Sequence, residues 1–85
     1  MAHLSNKTIH ISYFSFLREL LGITEEAFET KASTAGDLYS ELQALYGFGL
    51  SRDSLKVSIN DAFSSWKKEL KNGDHIVFIP PVSGG

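Results

Sequence analysis

Two runs of alternating hydrophobicity stand near opposite ends of this chain and bracket one long amphipathic segment, an arrangement that few folds satisfy. TIHISYF, residues 8–14, puts Ile9, Ile11 and Tyr13 on one face and Thr8, His10, Ser12 and Phe14 on the other. That is the period of a strand with one buried side. HIVFIP, residues 75–80, repeats it, with Ile76 and Phe78 opposite His75, Val77 and Ile79. Between them, STAGDLYSELQALYG spaces Leu38, Leu42 and Leu45 as a helical stripe flanked by Tyr39 and Tyr46. Thr34 with Asp37 resembles a capping box, Asp standing where Glu or Gln is usual, and Gly47 is placed to stop the helix.

The remaining segments fill in a mixed order. SFLRELLG, residues 15–22, predicts a short helix with Ser15 as cap, Leu17, Leu20 and Leu21 inward and Gly22 as its end. EEAFETKA, residues 25–32, reads as a polar strand at or near an edge, anchored by Ala27 and Phe28. GFGLSRDS is a loop, and LKVSIN a strand with Leu55, Val57 and Ile59 inward. DAFSSWKKEL is expected to be a short strand or turn that dips Phe63, Trp66 and Leu70 into the core, and Asn72-Gly73 marks a tight turn. The sum is an α+β domain: a mixed sheet packed on one main helix, with a short extra helix after the first strand. The ubiquitin-like β-grasp roll is the expected architecture. It would occupy residues 8–81, with a flexible lead-in over 1–7 and an extended tail over 82–85.

Composition narrows the function classes. With 85 residues there is room for one domain, and 42% hydrophobic residues suffice for a packed core. A net charge of −2 argues against nucleic acid or an anionic membrane as the main partner. No apolar run approaches the roughly 20 residues of a membrane span, and the start of the chain lacks the apolar stretch of a signal peptide. The chain has no cysteine, which excludes disulfides, thiolate metal sites and a thiol nucleophile. His3, His10 and His75 lack ligand spacing, so no metal site is expected. A cytoplasmic protein is the expectation.

The two strands at the ends carry more apolar residues than one buried face needs. If they are neighbours, Phe14, Val77 and Ile79 share the face that His10, Ser12 and His75 mark as exposed, and form an apolar docking patch. The last strand then runs into FIPPVSGG. Pro80 and Pro81 favour a stiff, extended exit, and Val82 to Gly85 would reach roughly 13–14 Å beyond them. Gly84 and Gly85 have no Cβ to block passage through a narrow channel. An α-carboxylate is ionised at neutral pH and a poor electrophile, so it needs activation, most simply as an acyl-adenylate made with ATP. The chain holds no phosphate-cradling loop and no acid–base pair to do this. It reads as a carried group whose enzymes are other proteins.

FIPPVSGG, YFSFLRELLG after the first strand, and VSIN followed by LKNGD resemble the small, sulfur-carrier subunit of molybdopterin synthase over residues 8–85. The resemblance implies a β-grasp fold whose C-terminal glycine is adenylated by an E1-like adenylyltransferase, which consumes ATP, and then becomes a thiocarboxylate. Inserted into the large catalytic subunit, that glycine would give its sulfur to cyclic pyranopterin monophosphate to build the molybdopterin dithiolene. By the same resemblance Gly85 bears the sulfur, Gly84 threads the channel, and Phe14, Arg18 and Ile79 contact the large subunit. Val77, Pro80, Pro81, Val82 and Ser83 complete the expected partner-binding set, and no permanently bound cofactor is implied. Lys67-Lys68 and the stretch DAFSSW depart from the family pattern. A sulfur carrier of thiazole or another pathway, a ubiquitin-like modifier and a plain binding module remain alternatives.

Overall fold

A computed structural model describes residues 6–79. Five strands form one sheet in the order β2-β1-β5-β3-β4: β1 Lys7–Tyr13, β2 Glu25–Thr30, β3 Lys56–Ile59, β4 Ala62–Ser64 and β5 His75–Ile79. β1 and β5 run parallel at its centre and every other pair is antiparallel. Two helices, α1 Ser15–Leu21 and α2 Ala35–Tyr46, and a 3₁₀ turn at Arg52–Ser54 complete the chain. This is the α+β roll expected from the sequence. β2 is an edge strand, as its polar composition implied, though it ends at Thr30 rather than at residue 32.

One face of the sheet carries the core. Ile9, Ile11 and Tyr13 of β1, Val57 and Ile59 of β3, and Ile76 and Phe78 of β5 are buried with Leu38, Tyr39 and Leu42 of α2. Tyr39 is the hub of an aromatic cluster, with ring centroids 5.4 Å from Phe78, 5.6 Å from Trp66 and 5.8 Å from Phe48. Its hydroxyl is not stranded there, since it donates to the Leu50 carbonyl at 2.7 Å. α2 begins as the sequence implied, the Thr34 hydroxyl accepting from the Asp37 N–H at 3.1 Å. Both helices stop where a glycine takes the left-handed conformation, Gly22 at φ 74° and Gly47 at φ 66°.

Several sequence expectations need correction. Phe14, not Ser15, holds the cap position of α1, and no side-chain hydrogen bond caps that helix. Leu20 and Leu45 are exposed rather than inward. α1 is seven residues long and buries Leu17 fully and Leu21 in part. Leu45 lies at the edge of the α2 stripe, on the side turned away from Tyr39 and Tyr46, and so stays in solvent. Phe63 is also exposed, while Trp66 and Leu70 do pack inward.

The reason for Phe63 is the turn before it. Asn60 and Asp61 both have positive φ, 53° and 72°, which makes a two-residue hairpin of the type that matches strand twist. It sets Ser58 opposite Phe63 and so sends Phe63 to the face away from the helices. Asn60 is held by neighbouring chain: its side chain accepts from the His75 N–H at 2.9 Å and donates to Asp74 at 2.9 Å.

A polar clamp closes the other end of the core. The buried Tyr13 hydroxyl donates to Glu26 at 2.7 Å, and Tyr46 donates to the same carboxylate at 3.0 Å. Burial first, then the hydrogen bond to Glu26 and the charge of that carboxylate, push the Tyr13 phenol well above its ordinary value. The folded state therefore keeps a proton that the unfolded chain releases near pH 10, and the stability linked to it is complete below that pH and declines above it. Urea midpoints measured from pH 8 to 11 should fall on the alkaline side, and Tyr13→Phe should flatten the fall. The slope left in that variant should come from Tyr39 and Tyr46, which burial also raises. An unchanged alkaline slope in Tyr13→Phe would contradict this assignment.

Candidate functional site

The face of the sheet away from α2 is where the sequence placed its docking patch, and strand register maps it in rows. Glu25, Ser12, Val77, Ser58 and Phe63 follow one another across β2, β1, β5, β3 and β4. Ala27, His10 and His75 form the row on one side, and Ile79 with Lys56 the row on the other. Phe14 extends this last row. It has extended backbone, φ −118° and ψ 157°, so it continues the alternation of β1 and points opposite the buried Tyr13. Tyr13 is in register with Phe78, so Phe14 lies beside the end of β5 that holds Ile79.

Exposure varies across these positions. Phe14 is 50% exposed and Ile79 half-buried, but Val77 is only 9% exposed. The expected row of three exposed apolar side chains is therefore corrected at Val77. It sits on the central strand between Ser12 and Ser58, themselves nearly covered. Phe63, 73% exposed, supplies apolar surface on that row instead. Sequence periodicity missed it because DAFSSW has no clear alternation. The Asn60-Asp61 pair was the signal that could have found it.

The polar members of the face are tied down. The Ser12 hydroxyl and His75 Nε2 lie 2.8 Å apart, joining β1 to β5 on the outer side. Thr8 holds the turn that precedes β5: its N–H donates to the Asn72 side chain at 2.8 Å and its carbonyl accepts from the Gly73 N–H at 2.8 Å. Arg18 is exposed on α1, one turn after Phe14, whose carbonyl accepts from the Arg18 N–H at 3.4 Å. Pro80, Pro81, Val82, Ser83, Gly84 and Gly85 lie outside the described residues. Among the described residues no three His, Asp or Glu side chains gather as a metal site. No helix among them is long and apolar enough to cross a membrane.

Phe14, Ile79 and Phe63 thus give the outer face of the sheet apolar surface at both ends of the array. Residues 11–85 match the ThiS family. The chain belongs to the ThiS family. A member-like relative is the molybdopterin synthase sulfur carrier subunit of Haemophilus influenzae, 31% identical over 80 residues that cover 91% of this chain and 99% of that one. The fold recurs at a TM-score of 0.63 in a protein–protein complex of subunits 1 and 2 of the molybdopterin-converting factor from Helicobacter pylori, at 28% identity over 92% of this chain and 99% of the matched chain. It also matches a ubiquitin from Caldiarchaeum subterraneum at a TM-score of 0.63, with 17% identity over 95% and 100% of the two chains. That last likeness is one of fold, and it makes the architecture the ubiquitin-like β-grasp.

Because Phe14 and Phe63 contribute little to the core, replacing either should leave the ThiS-type fold intact. Phe14→Ser and Phe63→Ser should each change unfolding free energy by less than about 0.5 kcal/mol. Leu42→Ala, in the fully buried stripe, should cost about 2–5 kcal/mol. Urea denaturation of the three variants checks the contrast.

Proposed function

We propose that this chain is the sulfur-carrier subunit of a molybdopterin synthase, with Gly85 as the carrier residue. The observation that carries this reading is positional. The outer face places Phe14 and Ile79 at the end of β5, and the next residues of the sequence are PPVSGG. A partner that docks on Phe14, Arg18, Ile79 and Phe63 is therefore in place to receive the tail. The family match runs through Gly85, and relatives that share the fold are named as sulfur carriers and as one subunit of a two-subunit assembly.

The chemistry follows from what a glycine carboxylate lacks. An E1-like adenylyltransferase lets the carboxylate oxygen attack ATP, with pyrophosphate leaving, and the resulting acyl-adenylate is a competent electrophile. A sulfur nucleophile then displaces AMP and leaves a thiocarboxylate. Its sulfur is the group delivered, in the large catalytic subunit, to cyclic pyranopterin monophosphate to form the dithiolene. In this scheme ATP is a reagent of the activating enzyme and no cofactor resides in the carrier. The body of the domain contributes presentation: it holds the strand that leads to the tail and the face that docks.

Intact-mass measurement tests the carrier step. Incubation with the activating enzyme, ATP and a sulfur source should add about 16 Da, sulfur replacing one oxygen at the acyl site. A variant lacking Gly85 should gain nothing while melting at the same temperature, since so short a tail adds almost nothing to the core. An unchanged mass for the full chain would remove the proposal.

A further inference from the structure

A shallow groove of about 430 Å³ opens where β3 and β4 meet at the sheet margin, lined by Lys56, Val57, Phe63, Ser64 and Ser65. Its polar groups are unequal. The Ser64 hydroxyl donates to the Ala62 carbonyl at 3.0 Å, so its hydrogen is engaged. The Ser65 oxygen accepts from the Lys67 N–H at 3.0 Å, which leaves its O–H to donate elsewhere. Lys56 is exposed and its ammonium brings three more donors. Beside them stands the ring of Phe63. A cation and a hydroxyl donor next to an aromatic wall suit an anion carried on an apolar stem.

The position of the groove says where such an anion would come from. Lys56 is in register with Ile79, at the end of β5 from which the tail departs, and Phe63 shares the row of Val77. Glu25 lies across the sheet on β2, exposed on the opposite margin of this face, with Glu29 on the same side of that strand. Glutamates thus stand at one margin of the face, and Lys56 stands towards the other. Opposed charges on the two sides of one face fix the orientation in which a partner settles.

We infer that the Lys56–Phe63–Ser65 groove is a carboxylate subsite, filled by an acidic side chain of the large synthase subunit when the carrier docks. This inference rests on the docking reading above and adds to it an ion pair that sets the approach of the partner. A carboxylate placed there is gripped by the Lys56 ammonium and the Ser65 hydroxyl, while its methylene stem lies along Phe63. The pair sits at the margin, where salt reaches it, so its effect is strongest at low ionic strength.

Calorimetric titration of the full chain into the cognate large subunit tests it, with Lys56→Gln, Lys56→Glu and Phe14→Asp measured beside the unaltered protein at two salt concentrations. Thermal melting of each variant verifies folding. Lys56→Glu should raise Kd about tenfold at about 50 mM NaCl, with the gap closing to less than about threefold at 300 mM, and Lys56→Gln should fall between. Phe14→Asp should weaken binding at both. If the Lys56 variants bind as the unaltered chain does while Phe14→Asp fails, the subsite is overturned and the docking reading stands. A Lys56→Glu defect that ignores salt also overturns the ion pair. Normal binding by all variants would overturn the docking surface itself, and the subsite with it.

Discussion

The parallel pairing of β1 with β5 is the constraint on which the rest of the structure depends. It runs from His10 beside His75 to Tyr13 beside Phe78, and it joins two segments more than sixty residues apart at the middle of the sheet. Parallel neighbours cannot be linked by a tight turn, so the intervening chain must leave the sheet and return, which is the room that α1, β2, α2, β3 and β4 occupy. The same register sorts side chains. Ile11 and Tyr13 meet Ile76 and Phe78 under α2, while Ser12, His75 and Val77 face the other way. A slip of one residue would exchange the two sets and turn the core outward. The Ser12–His75 contact on the outer side and the Asn72 bond to Thr8 both hold that register from polar positions.

Much of this was legible in the sequence, because period and parity are properties of neighbours in the chain. β1, α2 and β5 could be placed from their spacing alone, and the Thr34 cap and the Gly22 and Gly47 stops from residue type. What spacing could not give was which edge of a helical stripe the sheet covers. Leu20 and Leu45 satisfy the helical pattern and still face solvent, because burial is decided by the partner surface and not by the stripe. Val77 erred in the opposite sense. Parity gave its face correctly but not its exposure, which is as low as that of Ser12 and Ser58 beside it. Phe63 was misplaced because a three-residue strand is too short to show a period, and only its turn reveals the register.

In the proposed scheme the division between core and docking face also separates stability from function. The groups that hold the domain together, the Tyr39 aromatic cluster and the Tyr13–Glu26–Tyr46 clamp, lie on the helix side of the sheet. The residues proposed to meet a partner lie on the other side or on α1, and most are at least partly exposed. Sequence changes at the exposed positions of the outer face are therefore cheap for folding. The departures noted in DAFSSW fall within this freedom: β4 and the chain after it form the margin of the face.

A carrier that works through its tail also needs a stiff base for that tail. β5 is the central strand, paired on both sides, and its last core residue, Phe78, is wholly buried and stacked on Trp66 at 6.0 Å. Ile79 follows directly, so the tail departs one residue after a fixed point. Leu17 anchors α1 in the same core, which holds Phe14 and Arg18 relative to that point. In the proposed scheme, slack in the strand would dilute the geometry in which the carried group reacts. Burying Phe78 beneath the exit therefore does for a carried carboxyl what a rigid scaffold does for a catalytic side chain. The domain has no chemistry of its own to perform in the proposed scheme, and its packing serves to deliver one carbon atom to where others can act on it.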